Sequence, residues 1–216
     1  MHIKDYIKHL LLEDLPGIEA QRLMAPRLMN PTNKPVILED VPDDARRNAV
    51  LLCLTGDRFD ELEFVLTLRS SNLIKHAGQL SLPGGGVEIG ELPHQAALRE
   101  TREEVGITLQ DSQIIGNLTP IFVPHSYNFI HTFIAWKPQK SDFVLQIEEV
   151  EEAFYVPVRD LVHPEKLVTE MWNLRGMEME VPYWRVHSVP LWGATAMILS
   201  EFVEIMKKGL KTDKII

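Results

Sequence analysis

The sequence is poor in cysteine and in positive charge. Its 216 residues include a single cysteine, Cys53, which excludes an internal disulfide framework and a multi-cysteine zinc site and is typical of a reducing compartment. The 22 Lys and Arg residues are outnumbered by 31 Asp and Glu residues, and the net charge of −9 has the wrong sign for a protein that neutralises nucleic-acid phosphates. No apolar run approaches the roughly 20 residues of a membrane span. We therefore expect a cytoplasmic protein with neither a nucleic-acid nor a membrane partner.

The remaining composition is that of an ordinary globular protein. Hydrophobic residues make up 45% of the chain and charged residues 25%, and the length fits one domain with an appendage or at most two small domains. Residues 1–15 show helical spacing of apolar residues, and Pro16-Gly17 would stop that helix. We expect an N-terminal helical extension over residues 1–35 and the main domain over residues 36–210. The apolar residues of the extension either cap the core of the domain or pack across a homodimer.

The main domain mixes strand and helix patterns without regular alternation. This mixture indicates an α/β or α+β sandwich and not a doubly wound sheet. The run at 49–54 is apolar throughout and predicts a strand buried on both faces. The other predicted strands are 63–69, 79–83, 114–123 and 132–136, and the predicted helices are 92–105 and 192–208.

A glycine-rich turn, Gly84-Gly85-Gly86, leads into the helix at 92–105, which carries three glutamates. At about 100° per residue, Glu103 and Glu104 lie within about 60° of Glu100, so the three carboxylates share one face. Like charges at this spacing weaken a helix and need compensation. Carboxylates bind Mg²⁺ together with substrate phosphates, and glycines let the backbone approach a metal or a phosphate closely. The pattern therefore resembles the protein half of a Mg²⁺-diphosphate complex.

The spacing of this region resembles the Nudix box. Gly85, five residues, Glu91, seven residues and then the run from Arg99 to Ile107 keep the register of that motif over 23 residues. The box marks hydrolases that cleave a nucleoside diphosphate linked to another moiety. The resemblance implies a mixed sheet between helices and a loop-helix-loop that holds Mg²⁺ or Mn²⁺.

The resemblance also implies a role for individual residues. The implied metal ligands are Glu100, Glu103 and Glu104, with Gly84 adding its carbonyl. Arg99 and Glu91 would pair with the carboxylates and orient them. The box often has an aliphatic residue where this chain has Thr101, whose methyl group can pack while its hydroxyl donates to a carbonyl.

The implied reaction needs a general base. Water activated by a metal ion or a carboxylate would attack one phosphorus of a P–O–P linkage. Glu103 can act as the base if metal does not fully occupy it. The acidic cluster at 148–152 offers Glu149, which we favour, although the cluster could equally be a solvated loop.

Residues around the box resemble the coenzyme A pyrophosphatase branch of the family. The matching segments are Leu66-Thr67-Leu68-Arg69-Ser70, the stretch from Lys75 to Gly85, 149–158, 181–184 and 191–199. The implied substrate is a small nucleoside diphosphate derivative, coenzyme A. By this resemblance we expect Arg69, His76, Gln79 and Gly85 to contact it. Arg69 would hold a phosphate through two hydrogen bonds or else form an ion pair at the surface, and His76 contacts phosphate or is structural.

Two alternatives stay open at this point. One is a Nudix hydrolase for ADP-ribose, dinucleotides or another nucleoside diphosphate derivative, because Leu82, Ile74 and the turn at 125–128 depart from the branch pattern. The other is a Nudix module that senses a nucleotide without cleaving it. Such modules usually lack some box carboxylates, and this chain has all of them.

Overall fold

A computed structural model describes residues 2–28, 41–73 and 77–213 of the chain. The helices are α1 (Ile3–Leu10), α2 (Gly17–Gln21), α3 (Pro93–Val105), α4 (Val158–Val162) and α5 (Gly193–Asp213). The strands are β1 (Arg27–Leu28), β2 (Arg46–Thr55), β3 (Glu63–Arg69), β4 (Leu80–Ser81), β5 (Gly84–Gly86), β6 (Ile114–Asn117), β7 (Ile121–Val123), β8 (Asn128–Trp136), β9 (Val150–Pro157), β10 (Leu167–Leu174) and β11 (Met177–Trp184).

The larger sheet is mixed, as predicted. Its strand order is β4-β3-β2-β8-β6, while β5 pairs with β2, β7 with β8 and β9 with β3. Strands β2 and β8 run parallel, and the other pairs in this sheet are antiparallel. A second sheet has the order β1-β11-β10.

Strand β2 is the centre of the sheet, and its apolar run is buried on both faces. Leu51 and Cys53 belong to the core under α3, whereas Leu52 and Leu54 belong to the core under α5. Successive residues of a strand face opposite sides, so a strand covered on both sides needs an unbroken apolar run. The prediction for residues 49–54 is confirmed, and helices cover both faces of the mixed sheet.

Helix α3 begins and ends where its sequence signals lie. Pro93 occupies the first turn, and Gly106 ends the helix in the left-handed conformation with φ 75°. Thr101 is fully buried, and its hydroxyl donates to the Ala97 carbonyl at 2.7 Å, as predicted. The helix thus presents Ala97 and Val105 to the core, while Leu98 is only partly buried.

Several predicted elements have different bounds. The first helix is α1, which ends at Leu10, well before Pro16; Gly17 begins α2 and does not simply mark a stop. The strand predicted at 114–123 is divided into β6 and β7. Strand β8 starts earlier than predicted, at Asn128, because pairing with β2 extends it beyond its most apolar part.

The N-terminal helices share the core of the main domain. Tyr6, Ile7 and Leu10 of α1 are buried in the same hydrophobic cluster as Phe202 of α5. The apolar face of α1 therefore covers this chain's own core. The division at residues 35 and 36 and the homodimer stay predictions. Within the described ranges, no helix combines the length and the apolarity needed to cross a bilayer.

Candidate active site

The three glutamates of α3 differ in burial although they share one side of the helix. Glu104 is 1% exposed, Glu100 is half-buried and Glu103 is exposed. Each occupies a different environment: Glu104 faces the sheet, Glu100 faces the glycine turn and Glu103 reaches solvent beside Arg99. One face of α3 therefore carries three carboxylates that differ in their exposure to solvent.

The glycine turn lies against two of these carboxylates. The Gly84 amide donates to Glu104 Oε2 at 3.0 Å. A Cβ atom on Gly85 would lie 2.4 Å from Glu100 Cδ, closer than real Cβ contacts allow. Gly84 has φ 150°, and a Cβ atom there would meet the Ala49 carbonyl oxygen at 2.3 Å. Side chains are therefore excluded at Gly84 and Gly85, which lets the backbone approach the carboxylates there.

Arg99 organises the exposed side of the cluster. Its Nε and Nη2 donate to the two oxygens of Glu91 at 2.9 and 3.0 Å. Its Nη1 donates to Glu100 and Glu103 at 2.8 and 3.1 Å, and Nη2 also donates to the Gly86 carbonyl at 3.0 Å. These contacts use all five N–H groups of the guanidinium. The bidentate pair lowers the pKa of Glu91 and keeps its carboxylate charged.

Glu104 is the most strongly perturbed acid of the site. Burial raises its pKa to about 7, and the nearby charges of Glu100 and Glu149 act in the same direction. The Gly84 amide and Arg69, whose Nη1 lies 3.6 Å from Glu104 Oε1, oppose this shift. Burial and like charges also raise the pKa of Glu100. A cation bound among these acids would relieve the repulsion and the desolvation together.

The structure brings Glu149 to the same site through a segment that closes the C-terminal end of α3. The last four carbonyls of a helix lack partners within it. Val144 and Gln146 fill two of these places, since their amides donate to the carbonyls of Val105 and Glu104 at 3.0 and 3.1 Å. Three residues later, Glu149 is half-buried, and its charge contributes to the raised pKa of Glu100 and Glu104.

Two of the predicted substrate residues, Arg69 and Gln79, lie at the end of β3 and directly before β4, and a third, Gly85, lies in β5. Arg69 is the last residue of β3, and its amide donates to the Gln79 carbonyl at 3.0 Å. The Arg69 side chain is 23% exposed and faces Glu104, so its partner belongs to the carboxylate cluster. His76 lies outside the described residues. Contact of any of these residues with substrate stays a prediction.

Sequence reasoning missed Gln146 and Ser70. The Ser70 amide donates to the Glu149 carbonyl at 2.8 Å, and the Gln146 side-chain amide donates to Glu149 Oε1 at 3.4 Å. Ser70 is distant from Glu149 in sequence, so no local pattern points to that contact. Gln146 lies only three residues before Glu149, but a glutamine at that spacing is not a specific signal.

The residues of this cluster have the right chemistry for a divalent metal. Carboxylate and backbone oxygens are the donors that Mg²⁺ and Mn²⁺ take. Because residue 85 is a glycine and has no Cβ atom, its backbone can lie close to the Glu100 carboxylate. Within the part of the chain that the structure describes, however, three or more Asp, Glu, His or Cys groups are not arranged as a ready ligand set. Glu100 and Glu103 each accept a hydrogen bond from Arg99, so a metal ion that bound both carboxylates would compete with Arg99 for their oxygens.

Comparison with known proteins identifies the family. The NUDIX domain profile matches residues 45–175. The chain belongs to the Nudix family, as the spacing from Gly85 to Ile107 predicts. The solved MutT/nudix family protein of Enterococcus faecalis has the same fold, with a TM-score of 0.54 and 16% identity over 78% of this chain and 66% of that one.

Of two similar curated relatives, one is named for the activity of the predicted branch and the other for the family alone. A peroxisomal coenzyme A diphosphatase of Caenorhabditis elegans is 34% identical over 153 residues, which are 66% of this chain and 65% of that protein. A probable Nudix hydrolase of Schizosaccharomyces pombe is 31% identical over 177 residues, 81% of this chain and 58% of that protein. The match thus spans less than two thirds of either relative's length.

Proposed function

We propose that this protein hydrolyses the diphosphate linkage of coenzyme A or its derivatives in a metal-dependent reaction. The products would be adenosine 3′,5′-bisphosphate and 4′-phosphopantetheine. The similarity to a coenzyme A diphosphatase supports this substrate, as do the segments around Arg69 and Gln79 that resemble that branch. In the reaction, the oxygen of water bonds to one phosphorus while the bond from the bridging oxygen to that phosphorus breaks, and the water protons pass to a base and to the leaving phosphate.

One observation carries the proposal. Glu104 is buried beside Glu100 and Glu149, and burial, together with the charges of these two acids, raises its pKa to about 7. A buried cluster of acids is costly unless a cation joins it. Arg69 and Arg99 supply part of the compensation in the structure as it stands. The negative charge that these two arginines leave uncompensated fits a site that binds a divalent cation together with a diphosphate.

The residues of the chain would divide the work as follows. Glu100, Glu103 and Glu104 would hold Mg²⁺ or Mn²⁺, with the Gly84 carbonyl as a further ligand. When bound, the metal would neutralise charge on the phosphate oxygens. Arg99 donates hydrogen bonds to Glu100 and Glu103, and it would keep these two carboxylates oriented as they turn toward the metal.

The proton of the attacking water goes to a general base. Glu149 is the favoured base, because it stands beside Glu100 and Glu104 and takes no hydrogen bond from Arg99 among the contacts described for Arg99. Glu103 is the alternative. It is exposed and accepts from Arg99 at 3.1 Å.

A substrate panel tests the proposal. Coenzyme A, an acyl derivative, ADP-ribose and a dinucleotide are incubated with Mg²⁺ and with Mn²⁺, and the products are analysed by mass spectrometry in ¹⁸O-labelled water. We expect the label on one of the two coenzyme A products and no inorganic phosphate. Preferred turnover of ADP-ribose or of a dinucleotide would change the substrate, and saturable binding without turnover would favour a sensing module.

A substitution at Glu103 tests the site itself. Glu103→Gln keeps the shape of the side chain and removes its charge, so turnover should fall by more than about 10²-fold while the protein stays folded. Near-normal activity in this variant would contradict the assignment. A cytoplasmic location stays a prediction from composition, and imaging of a tagged full-length protein would test it.

A further inference from the structure

Gln146 makes contacts on two sides of the candidate site. Its backbone amide donates to the Glu104 carbonyl at 3.1 Å, which ties it to the helix of metal-binding carboxylates. Its backbone carbonyl accepts from the amides of Glu149 and Val150, both at 2.9 Å. Its side-chain amide donates to Glu149 Oε1 at 3.4 Å. One residue therefore joins α3 to the backbone and to the carboxylate of the favoured base.

The opposite side of Glu149 is also held. The Glu149 carbonyl accepts from the Ser70 amide at 2.8 Å, directly after Arg69 at the end of β3. Hydrogen bonds to Gln146 and Ser70 thus fix the backbone of Glu149, while the torsion angles of its side chain are not set by these contacts. Among the described residues, the Gln146 side-chain amide is the hydrogen-bond partner that restricts this side chain. Its N–H group favours the orientation in which one carboxylate oxygen points toward it.

We propose that Gln146 is a positioning residue that orients the Glu149 carboxylate toward the attacking water. This inference rests on the proposed function, in which Glu149 is the base. The 3.4 Å contact is long, as hydrogen bonds of catalytic groups often are before substrate binds. The backbone contacts of residue 146 do not depend on its side chain. The side chain can therefore be changed without losing the cap on α3.

A graded pair of substitutions separates the side-chain contact from the backbone contacts. Gln146→Met keeps the length and removes the donor, and Gln146→Glu replaces the donor with a charge that repels Glu149. We expect kcat to fall about 10-fold in the first variant and further in the second, with KM nearly unchanged, as is typical when a partner that orients a functional side chain is lost. Gln113→Met is the matched control. Gln113 also uses its side-chain amide, on the Trp136 carbonyl at 3.3 Å, outside the site.

A double-mutant cycle decides whether Gln146 acts through Glu149. If it does, Gln146→Met should have no further effect on kcat in a Glu149→Gln background. The same 10-fold loss in both backgrounds would show a structural role and would overturn the inference, as would wild-type kcat in Gln146→Met. If Glu149→Gln alone retains wild-type kcat, the assignment of the base is wrong and this inference fails with it. Cleavage of coenzyme A by the wild-type protein is scored separately, so the failure of the substrate assignment can be distinguished from the failure of either role.

Discussion

Gly85 lies directly against the carboxylate of Glu100, because a Cβ atom at residue 85 would come within 2.4 Å of Glu100 Cδ. We predict that Gly85→Ala displaces this carboxylate and lowers metal affinity and kcat/KM by about 10- to 100-fold. The free energy of unfolding should change by no more than about 1 kcal/mol, because the far end of a glutamate can move aside. Activity assays, metal titration and denaturant unfolding measure the three quantities.

The neighbouring glycine supplies the control for that substitution. A Cβ atom on Gly86 would meet nothing within 4 Å, and Gly86 is not among the glycines with positive φ. Gly86→Ala should therefore retain nearly full activity. Equal losses in the two variants would show that backbone stiffness, and not the contact with Glu100, explains the effect.

Metal binding should stabilise the protein. A divalent ion that joins Glu100, Glu103 and Glu104 in the native state raises the free energy of unfolding by about 2.7 kcal/mol at about 100 times its Kd. The rise in Tm with Mg²⁺ or Mn²⁺ should largely disappear in Glu100→Gln. Glu148→Gln, which changes an exposed acid near the site, should keep it. A wild-type Tm that does not respond to millimolar metal would argue against the site.

The single thiol should be inert in the folded protein. Cys53 lies in the apolar run of β2, and burial raises its pKa to about 12. At pH 8 the thiolate fraction is then about 10³-fold lower than in an unfolded chain, and the thiolate is the reactive form. A colorimetric thiol reagent should label the native protein at least that much more slowly than the urea-unfolded protein. Similar rates in both states would show that this part of β2 opens readily.

Local patterns predicted those parts of the fold that local chemistry determines. Helix α3 has a proline in its first turn and Gly106 after its last residue, and β2 has an unbroken apolar run, so both elements follow from signals within a dozen residues. The hairpin of β10 and β11 was missed. Its two-residue turn, Arg175 and Gly176, has φ values of 58° and 80°, which is the geometry that joins tightly paired strands. The signal available in the sequence was Gly176, which lies between two segments of alternating polar and apolar residues and so indicates a hairpin turn.

The sequence predicts which residue types form the site, but not how deeply each carboxylate is buried. A helical projection places Glu100, Glu103 and Glu104 on one side, but it does not distinguish the buried Glu104 from the exposed Glu103. That difference depends on Gly84 and Arg69, which approach from the sheet. A local sequence pattern does not predict such contacts between separate elements.

Gly106 should be needed both for the end of α3 and for the segment that carries the favoured base. Its φ is 75°, and a Cβ atom there would lie 2.8 Å from Val144 Cβ and 3.1 Å from Val144 N. Gly106→Ala should cost about 1–2 kcal/mol from the left-handed conformation and should also displace residues 144–149, lowering kcat. Gly176→Ala has a similar strain, with φ 80°, and no atom within 4 Å of the new Cβ. It should destabilise the protein without changing kcat, and a normal kcat in Gly106→Ala would contradict the proposed link.

Glu201 should fasten the N-terminal helices to the domain. It is fully buried in α5, and its oxygens accept hydrogen bonds from the Gly17 amide, the Gln21 side chain and both the amide and the hydroxyl of Thr119, at 2.7–3.3 Å. In Glu201→Gln, either orientation of the new amide places an NH₂ group against a donor, so a buried bond to a charged group is lost and about 2 kcal/mol of stability with it. Glu204→Gln on the same helix removes only a partly exposed pair with Lys207 and should change stability by less than about 0.5 kcal/mol. Denaturant unfolding of both variants is the measurement, and an equal, small effect would mean that residues 17–21 are not fastened through Glu201.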